Sequence, residues 1–193
     1  VTGFGLNNYE WRITATKPNL TSGKTYKIRV RAVDDSSPTV NAQAVISSTT
    51  FSFETSEATI AVTAPANNSF VSAVTAISGT AADQFGVRVA SIAIAESPGA
   101  YWTGSTFTSA GPVWFTAQEP LTTSNGVDFT WSFSSNTFNF QDNRQYQIRS
   151  RVESNAKITK EGNPIVFTFD TTEPDSNIDA PTRLSYPANA NAL

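Results

Sequence analysis

The sequence predicts an all-β protein, and three observations support this prediction. Apolar and polar residues alternate in short runs, as in the stretch 26–30, where Tyr26, Ile28 and Val30 alternate with Lys and Arg. Such alternation places one face of a strand in a core and the other in water. The sequence has no helical periodicity, and Gly and Pro are spread among predicted loops. Many short strands separated by regular turns are typical of an antiparallel β-sandwich.

One element of the sequence indicates a particular corner of such a sandwich. Tyr26 stands near the start of its predicted strand, six residues after Leu20 and three after the chain-breaking Ser22-Gly23 pair. This spacing predicts a tyrosine corner, in which the ring packs inward and the hydroxyl bonds to upstream backbone. The element returns 120 positions later, where Phe140 and Tyr146 stand at the same separation.

The rest of the chain repeats in the same register, which predicts tandem copies of one β-domain of roughly 116–120 residues. The pairs at an offset of 120 are Tyr9/Phe129, Trp11/Trp131, Leu20/Phe140 and Tyr26/Tyr146, and those at 116 are Phe51/Phe167, Phe53/Phe169, Thr55/Thr171 and Pro65/Pro181. We therefore expect residues 1–57 to be the later half of one repeat, 58–174 a complete repeat, and 175–193 a linker and the start of the next. On this interpretation the chain is a segment of a longer array.

The individual strands and turns follow from alternation and turn residues. We expect strands at Tyr9–Ala15, within Ala42–Phe53, and at Ile60–Val62, Val74–Gly79, Val87–Ile94 and Val113–Phe115, with turns at Pro65–Ser69 and Asp83–Gly86 and a hairpin around Gly104. Arg29, Arg31, Arg149 and Arg151 are expected on the solvated faces of their strands.

Composition excludes several classes of function. The chain contains no Cys and no His, so it lacks the ligands of an ordinary zinc site and the pairs used in Ser-His-Asp and Cys-His catalysis. A net charge of −3 argues against binding to a nucleic-acid backbone. No apolar run approaches the roughly 20 residues of a membrane span. We expect no enzymatic activity, no catalytic residue and no bound organic cofactor.

An aromatic cluster is the first candidate binding site. Tyr101, Trp102 and Trp114 lie in the predicted hairpin region 101–115, together with Phe107 and Phe115. Large flat rings suit a stacking platform for a surface glycan or a protein ligand, because they bring contact area with little flexibility. The alternative is that several of them pack in the core or seal the hairpin against it.

Acidic residues in predicted loops are the second candidate site. Asp34, Asp35 and Asp83 are oxygen ligands of the kind that Ca²⁺ prefers, and a structural Ca²⁺ is the one cofactor they suggest. The alternative is ordinary turn chemistry, in which Asp accepts hydrogen bonds from its own backbone.

These motifs together resemble a known family, the tandem bacterial immunoglobulin-like repeats of very large cell-surface proteins. The resemblance lies in the run Gly79-Thr-Ala-Ala-Asp83 before Gly86-Val87, in Tyr101-Trp-Thr-Gly-Ser105, and in Tyr146-Gln-Ile-Arg-Ser-Arg151. The resemblance implies immunoglobulin-like sandwiches and a non-catalytic extracellular role at the cell surface, as a stalk, adhesin or surface fibre.

Two other functions remain open at this point. One is a filament subunit whose copies, through homotypic contacts, complete one another by strand exchange. The other is a carbohydrate- or partner-binding module that uses the aromatic hairpin 101–115.

Overall fold

The computed structural model describes residues 16–34, 37–39, 41–97, 99–117, 122–123, 127–135 and 138–179. Within these residues the chain is all-β, with fourteen strands in three sheets, which confirms the predicted fold class. The predicted strand Tyr9–Ala15 lies outside the described residues.

The first sheet is a two-stranded antiparallel hairpin. Its strands are β1 (Lys24–Val30) and β2 (Ser47–Phe53), and Tyr26 lies opposite Phe51. Only the final part of the predicted run Ala42–Phe53 forms the strand β2. Ala42 itself pairs with Val33 as an isolated bridge beyond the end of β1.

The second and third sheets belong to the stretch that follows. In chain order the strands are β3 (Thr59–Ala64), β4 (Ser69–Val71), β5 (Ala76–Ala82), β6 (Val87–Glu96), β7 (Ala100–Trp102), β8 (Phe107–Ser109), β9 (Phe115–Thr116), β10 (Thr122–Thr123), β11 (Asp128–Ser134), β12 (Arg144–Ser154), β13 (Thr159–Glu161) and β14 (Ile165–Phe169). One sheet has the order β10-β11-β5-β3, and the other has the order β4-β14-β12-β6-β7-β8, with β13 added to β12 and β9 added to β6. Every pairing is antiparallel except that of β4 with β14.

These two sheets face each other across one core, as in a β-sandwich. The inward residues of β12 are fully buried at alternate positions: Tyr146, Ile148 and Val152 are each 0% exposed. Residues of both sheets meet them there, including Ile60, Ile77, Ile92, Ile94, Trp131, Ile165 and Phe167. Burial of large apolar side chains at about 25 cal/mol per Å² of surface is the main driving force for this packing.

The central strand β6 is buried on both faces. Ile92 and Ile94 point into the core, whereas Ala93 lies on the opposite face and is still 0% exposed. Ala93 pairs with Arg149 of β12. Small residues on the outer face of β6 therefore leave room for long side chains of the neighbouring strand to lie across them.

Gly79 shows why the other sheet needs a glycine at its centre. Gly79 pairs with Val62 on one side and Trp131 on the other. A Cβ at this position would overlap the carbonyl oxygen of Ala61 and the indole ring of Trp131. The indole occupies the space that a side chain at position 79 would fill, and its Nε1 donates to the Thr80 carbonyl at 3.1 Å.

Several predicted boundaries differ from the structure in detail. The predicted Val113–Phe115 strand is only the two-residue β9, which pairs with Ser91 and Ile92 of β6. The turn Pro65–Ser69 leads into β4, which was not predicted.

The tight turn at Asp83–Gly86 is confirmed, since Gly86 has a φ of 96° and its N–H donates to the Asp83 carbonyl at 3.2 Å. Gly104, with a φ of 107°, lies between β7 and β8, as the predicted hairpin requires.

Candidate functional site

The two tyrosine hairpins have the same strand register. Tyr26 of β1 lies opposite Phe51 of β2, and Tyr146 of β12 lies opposite Phe167 of β14. Two residues earlier, Lys24 lies opposite Phe53, as Arg144 lies opposite Phe169. The ring pairs also match: the centroids are 5.8 Å apart at 29° in the first hairpin and 5.6 Å apart at 30° in the second.

The tyrosine corner forms in both hairpins. The Tyr26 hydroxyl accepts a hydrogen bond from the Thr21 N–H at 2.7 Å, and the Tyr146 hydroxyl accepts one from the Gln141 N–H at the same distance. In each case the donor lies five residues upstream of the tyrosine. The prediction of this corner is confirmed at both positions. Burial raises the pKa of Tyr146 above its ordinary value, so this hydroxyl stays protonated over the physiological range.

A hydrogen bond from a threonine N–H to a side-chain oxygen, here called the polar lock, closes the same end of each hairpin. Ser22 Oγ accepts the N–H of Thr55 at 2.8 Å, and Asp142 Oδ1 accepts the N–H of Thr171. Asp142 also accepts the hydroxyl of Thr172 at 2.7 Å. Hydrogen bonds from these threonines lower the pKa of Asp142 to about 2, because they favour the charged carboxylate.

The turn residue that follows the lock is left-handed in both hairpins. Gly23 has a φ of 80° and Asn143 a φ of 58°. Glycine and asparagine are the residues that adopt this conformation most readily. The two hairpins are therefore alike in register, corner, lock and turn.

The surroundings of the two hairpins differ. Ile148 and Phe167 are 0% and 1% exposed, because the opposite sheet covers their face. Their counterparts Ile28 and Phe51 are 38% and 37% exposed. In the described part of the chain, β1 pairs only with β2, whereas β12 is flanked by both β14 and β6.

The linker between the first hairpin and the sandwich is short and held on both sides. It comprises residues 54–58, between the end of β2 and the start of β3. Glu54 and Ala58 are 9% and 2% exposed. Glu57 forms an ion pair of 2.6 Å with Lys160 of β13. The predicted repeat boundary at residue 57 falls within this linker, and the three predicted domain ranges stay predictions.

The sandwich side of this junction is formed by two turns. Asp83 is 6% exposed, and its Oδ1 accepts the Phe85 N–H at 2.8 Å. Asn155, in the turn after β12, donates from Nδ2 to the Phe85 carbonyl at 2.7 Å. A cavity of about 250 Å³ lies between these turns and the hairpin, lined by Ser52, Glu54, Phe85, Asn155 and Ala156.

The predicted aromatic residues are divided between the two faces of their sheet. Trp102 is 4% exposed and packs in the core against Phe107, with ring centroids 4.9 Å apart. Tyr101 and Trp114 are half-buried outside the core. The Tyr101 hydroxyl accepts a hydrogen bond from Arg149 Nη1 at 3.2 Å. The three rings therefore do not form one exposed platform, and a ligand at Tyr101 and Trp114 stays a prediction.

Two arginines expected on a solvated face are packed against Trp114. The guanidinium carbon of Arg151 lies 4.3 Å from the centre of the indole ring, and that of Arg149 lies 5.8 Å from it. Arg149 also pairs with Glu161 of β13. A cavity of about 160 Å³ beside Tyr101 is lined in part by Glu96 and Gln147. It is smaller than the roughly 300–1,000 Å³ typical of ligand pockets.

The predicted acidic residues are not brought together. Asp34 follows β1, where its carboxylate accepts the backbone N–H and side-chain Nδ2 of Asn41 at 2.7 and 2.9 Å. Asp83 meets the opposite end of the hairpin, beside Glu54. Asp35 lies outside the described residues. Among the described side chains, no group of three or more acids is arranged to hold a metal ion, and a structural Ca²⁺ stays a prediction.

Glu54 is the residue of this region that the sequence pattern did not single out. It follows Phe53 as Asp170 follows Phe169, so an acid stands directly after the last strand of each hairpin. This recurrence is the feature of the sequence that could have identified Glu54.

No protein-family model matches this chain, and no curated protein matches it either. In the residues that the structure describes, no helix has the length and apolar character to cross a membrane. Function must therefore be inferred from the repeated hairpin and from the junction.

Proposed function

We propose that this chain is a non-catalytic structural segment of a large extracellular repeat protein, acting at the cell surface as a stalk, adhesin or fibre of tandem immunoglobulin-like sandwiches. The observation that supports the proposal is the duplicated hairpin. Tyr26 and Tyr146 stand in the same register, with the same corner hydrogen bond and the same ring stacking. Independent loops would not be expected to reproduce all of these features at offsets of 120 and 116 residues, whereas a repeated domain with one shortened loop would.

The short linker supports a mechanical role. Five residues separate β2 from β3, and three of them are tied to neighbouring structure: Glu54 and Ala58 by burial, Glu57 by its ion pair with Lys160. A linker of this kind restricts bending between successive units. Stiffness along the array is what a stalk or fibre needs to project a distant part of the molecule.

The experiment uses an antibody raised against the 193-residue chain. We expect it to label intact, unpermeabilised cells and to detect a polypeptide far larger than the 20.7 kDa of this chain. A product near 20.7 kDa, or labelling only after the cells are permeabilised, would contradict the proposal.

A filament subunit is the second candidate, and the open face of the first hairpin favours it. Ile28 and Phe51 are more than one-third exposed, although their counterparts are buried. A two-stranded hairpin is marginally stable alone, so another strand along β1 would stabilise it. Added strands of this kind are a common mode of protein association.

Light scattering over a dilution series distinguishes the two candidates. A filament subunit of 20.7 kDa should assemble reversibly with concentration. Ile28→Lys on the apolar face should abolish that assembly, whereas Lys27→Glu on the opposite face of β1 should leave it intact. A wild-type chain that stays monomeric at every concentration would eliminate the filament candidate.

A further inference from the structure

The junction between hairpin and sandwich contains a carboxyl group in an unusual position. Glu54 is 9% exposed, and its Oε1 accepts a hydrogen bond from Ser56 Oγ at 3.0 Å. Its other oxygen, Oε2, is buried, and none of the described residues donates to it. An ionised carboxylate oxygen without a donor is costly to bury, and more so than a neutral group.

A second carboxyl group faces Glu54 across the junction. Asp83 belongs to the loop after β5 and is 6% exposed. It lies within hydrogen-bonding reach of Glu54, and its Oδ1 already accepts the Phe85 N–H. The other groups that line the cavity here are neutral: Ser52 on the hairpin side, and Phe85, Asn155 and Ala156 on the sandwich side. Asp83 is thus the titratable group that acts on Glu54 from the opposite side.

Two buried carboxyl groups in contact are stable together when they share a proton. We propose that Glu54 takes up a proton at Oε2 and donates it in a hydrogen bond to Asp83, so that protonation locks the first hairpin against the sandwich. The proton comes from solvent and returns to solvent when the junction opens. The linker is then rigid while Glu54 is protonated, and it loosens as the pH rises and the proton is lost.

The direction of the pH effect follows from linkage. Burial, and then the charge of Asp83, raise the pKa of Glu54 above its ordinary value of 4.5, while the Ser56 hydrogen bond opposes them. Between 4.5 and the raised pKa, the closed junction holds a proton that the open junction has lost. Closure therefore weakens as the pH rises through this window. The ratio of closed to open junctions falls tenfold for each unit by which the Glu54 pKa in the closed junction exceeds that in the open junction.

Two substitutions separate the proton from the rest of the site. In Glu54→Gln the side-chain amide donates to Asp83 at every pH, which imitates the protonated acid. In Asp83→Asn the new amide donates to Glu54 instead, while its oxygen can still accept the Phe85 N–H. Glu57→Gln is the matched control, because it removes the same charge from the same linker and breaks the ion pair with Lys160, but leaves Glu54 and Asp83 in place.

The full 193-residue chain allows two direct measurements. NMR of the carboxyl carbon of Glu54 gives its titration midpoint. Because the chain has no native cysteine, spin labels can be placed at Lys27→Cys in β1 and Thr80→Cys in β5, both exposed, to record the distance between hairpin and sandwich.

We expect a midpoint above 4.5 in the unsubstituted chain, and a distance distribution that broadens as the pH rises through that midpoint. Glu54→Gln should keep the distribution narrow at both ends of the range. Glu57→Gln should keep the pH response of the unsubstituted chain, although loss of the Lys160 ion pair broadens its distribution at every pH. Asp83→Asn should lower the midpoint and keep the junction closed at higher pH.

Three results would overturn the proposal. The first is a Glu54 midpoint at or below 4.5, and the second is a distribution that ignores pH although the midpoint is raised. The third is that millimolar CaCl₂ at high pH narrows the distance distribution of the unsubstituted chain but not that of Glu54→Gln. The Glu54–Asp83 pair would then hold a cation instead of a proton. Should Glu54→Gln fail to fold, the midpoint and distribution of Asp83→Asn decide the same question.

Discussion

Removing the hydroxyl of Tyr146 is expected to destabilise the sandwich by about 1–3 kcal/mol, whereas the same change at Tyr26 should cost about 0.5 kcal/mol or less. Both hydroxyls accept one backbone N–H at 2.7 Å, so the hydrogen bond itself is matched. Tyr146 is 0% exposed, and water cannot readily take the place of its hydroxyl beside the Gln141 N–H. Tyr26 is only half-buried, so water can more readily replace the lost acceptor there; the donor residues Thr21 and Gln141 are both exposed and do not cause the difference.

The assay is urea unfolding of Tyr146→Phe and Tyr26→Phe, followed by tryptophan fluorescence. Trp102 and Trp131 are buried in the sandwich core, at 4% and 3% exposure, and they report its unfolding. An unchanged m-value in both variants would show that the same surface is exposed on unfolding. The reasoning is refuted if Tyr146→Phe lies within about 0.5 kcal/mol of the unsubstituted chain, or if both variants lose equal stability.

Three further substitutions test other features of the sandwich. Gly79→Ala should prevent stable folding or lower the free energy of unfolding by more than about 3 kcal/mol, because the Ala61 carbonyl and the Trp131 indole already fill the Cβ position. Gly111→Ala, which has open space around it, should be nearly neutral in the same thermal unfolding assay. The hydrogen-bonded carboxylate of Asp142 stabilises the fold at pH values above 3.8, and this contribution is lost as the pH falls through a pKa of about 2. The free energy of unfolding of Asp142→Asn, measured across this pH range, should therefore lack this acid dependence. Arg151→Gln should cost about 0.5–1 kcal/mol and shift the indole N–H resonance of Trp114, and an unmoved resonance would show that the guanidinium contact is unimportant.

The parts of the fold that could be predicted from sequence are those set by local patterns. The tyrosine corner depends on residues within a few positions of Tyr26 and Tyr146, and the Asp83–Gly86 turn on four consecutive residues. Alternation in β12 fixes which side chains point inward, because successive residues of a strand face opposite sides. Such features need no knowledge of distant partners.

The aromatic cluster could not be placed in the same way. Trp102 enters the core and Tyr101 lies on the other face, at a point where the β7–β8 pairing shifts register between them. Trp114 is held by Arg149 and Arg151, which follow it by more than thirty residues in sequence. Residue types in the hairpin do not reveal this contact, since it depends on the pairing of β6 with β9 on one side and with β12 on the other.

The contrast between Glu54 and Asp170 identifies what buries the junction carboxyl. Both acids follow the last strand of a tyrosine hairpin, yet Asp170 is only half-buried, and its Oδ1 accepts the N–H of Thr172 at 3.0 Å. The hairpin alone therefore leaves this position accessible and satisfied by its own backbone. Glu54 is buried because the loop containing Asp83 and the turn containing Asn155 lie against it. If the chain is part of a tandem array, an acid at this position would meet the corresponding loop of each following unit, and the response of the Glu54 junction to pH would recur along the array.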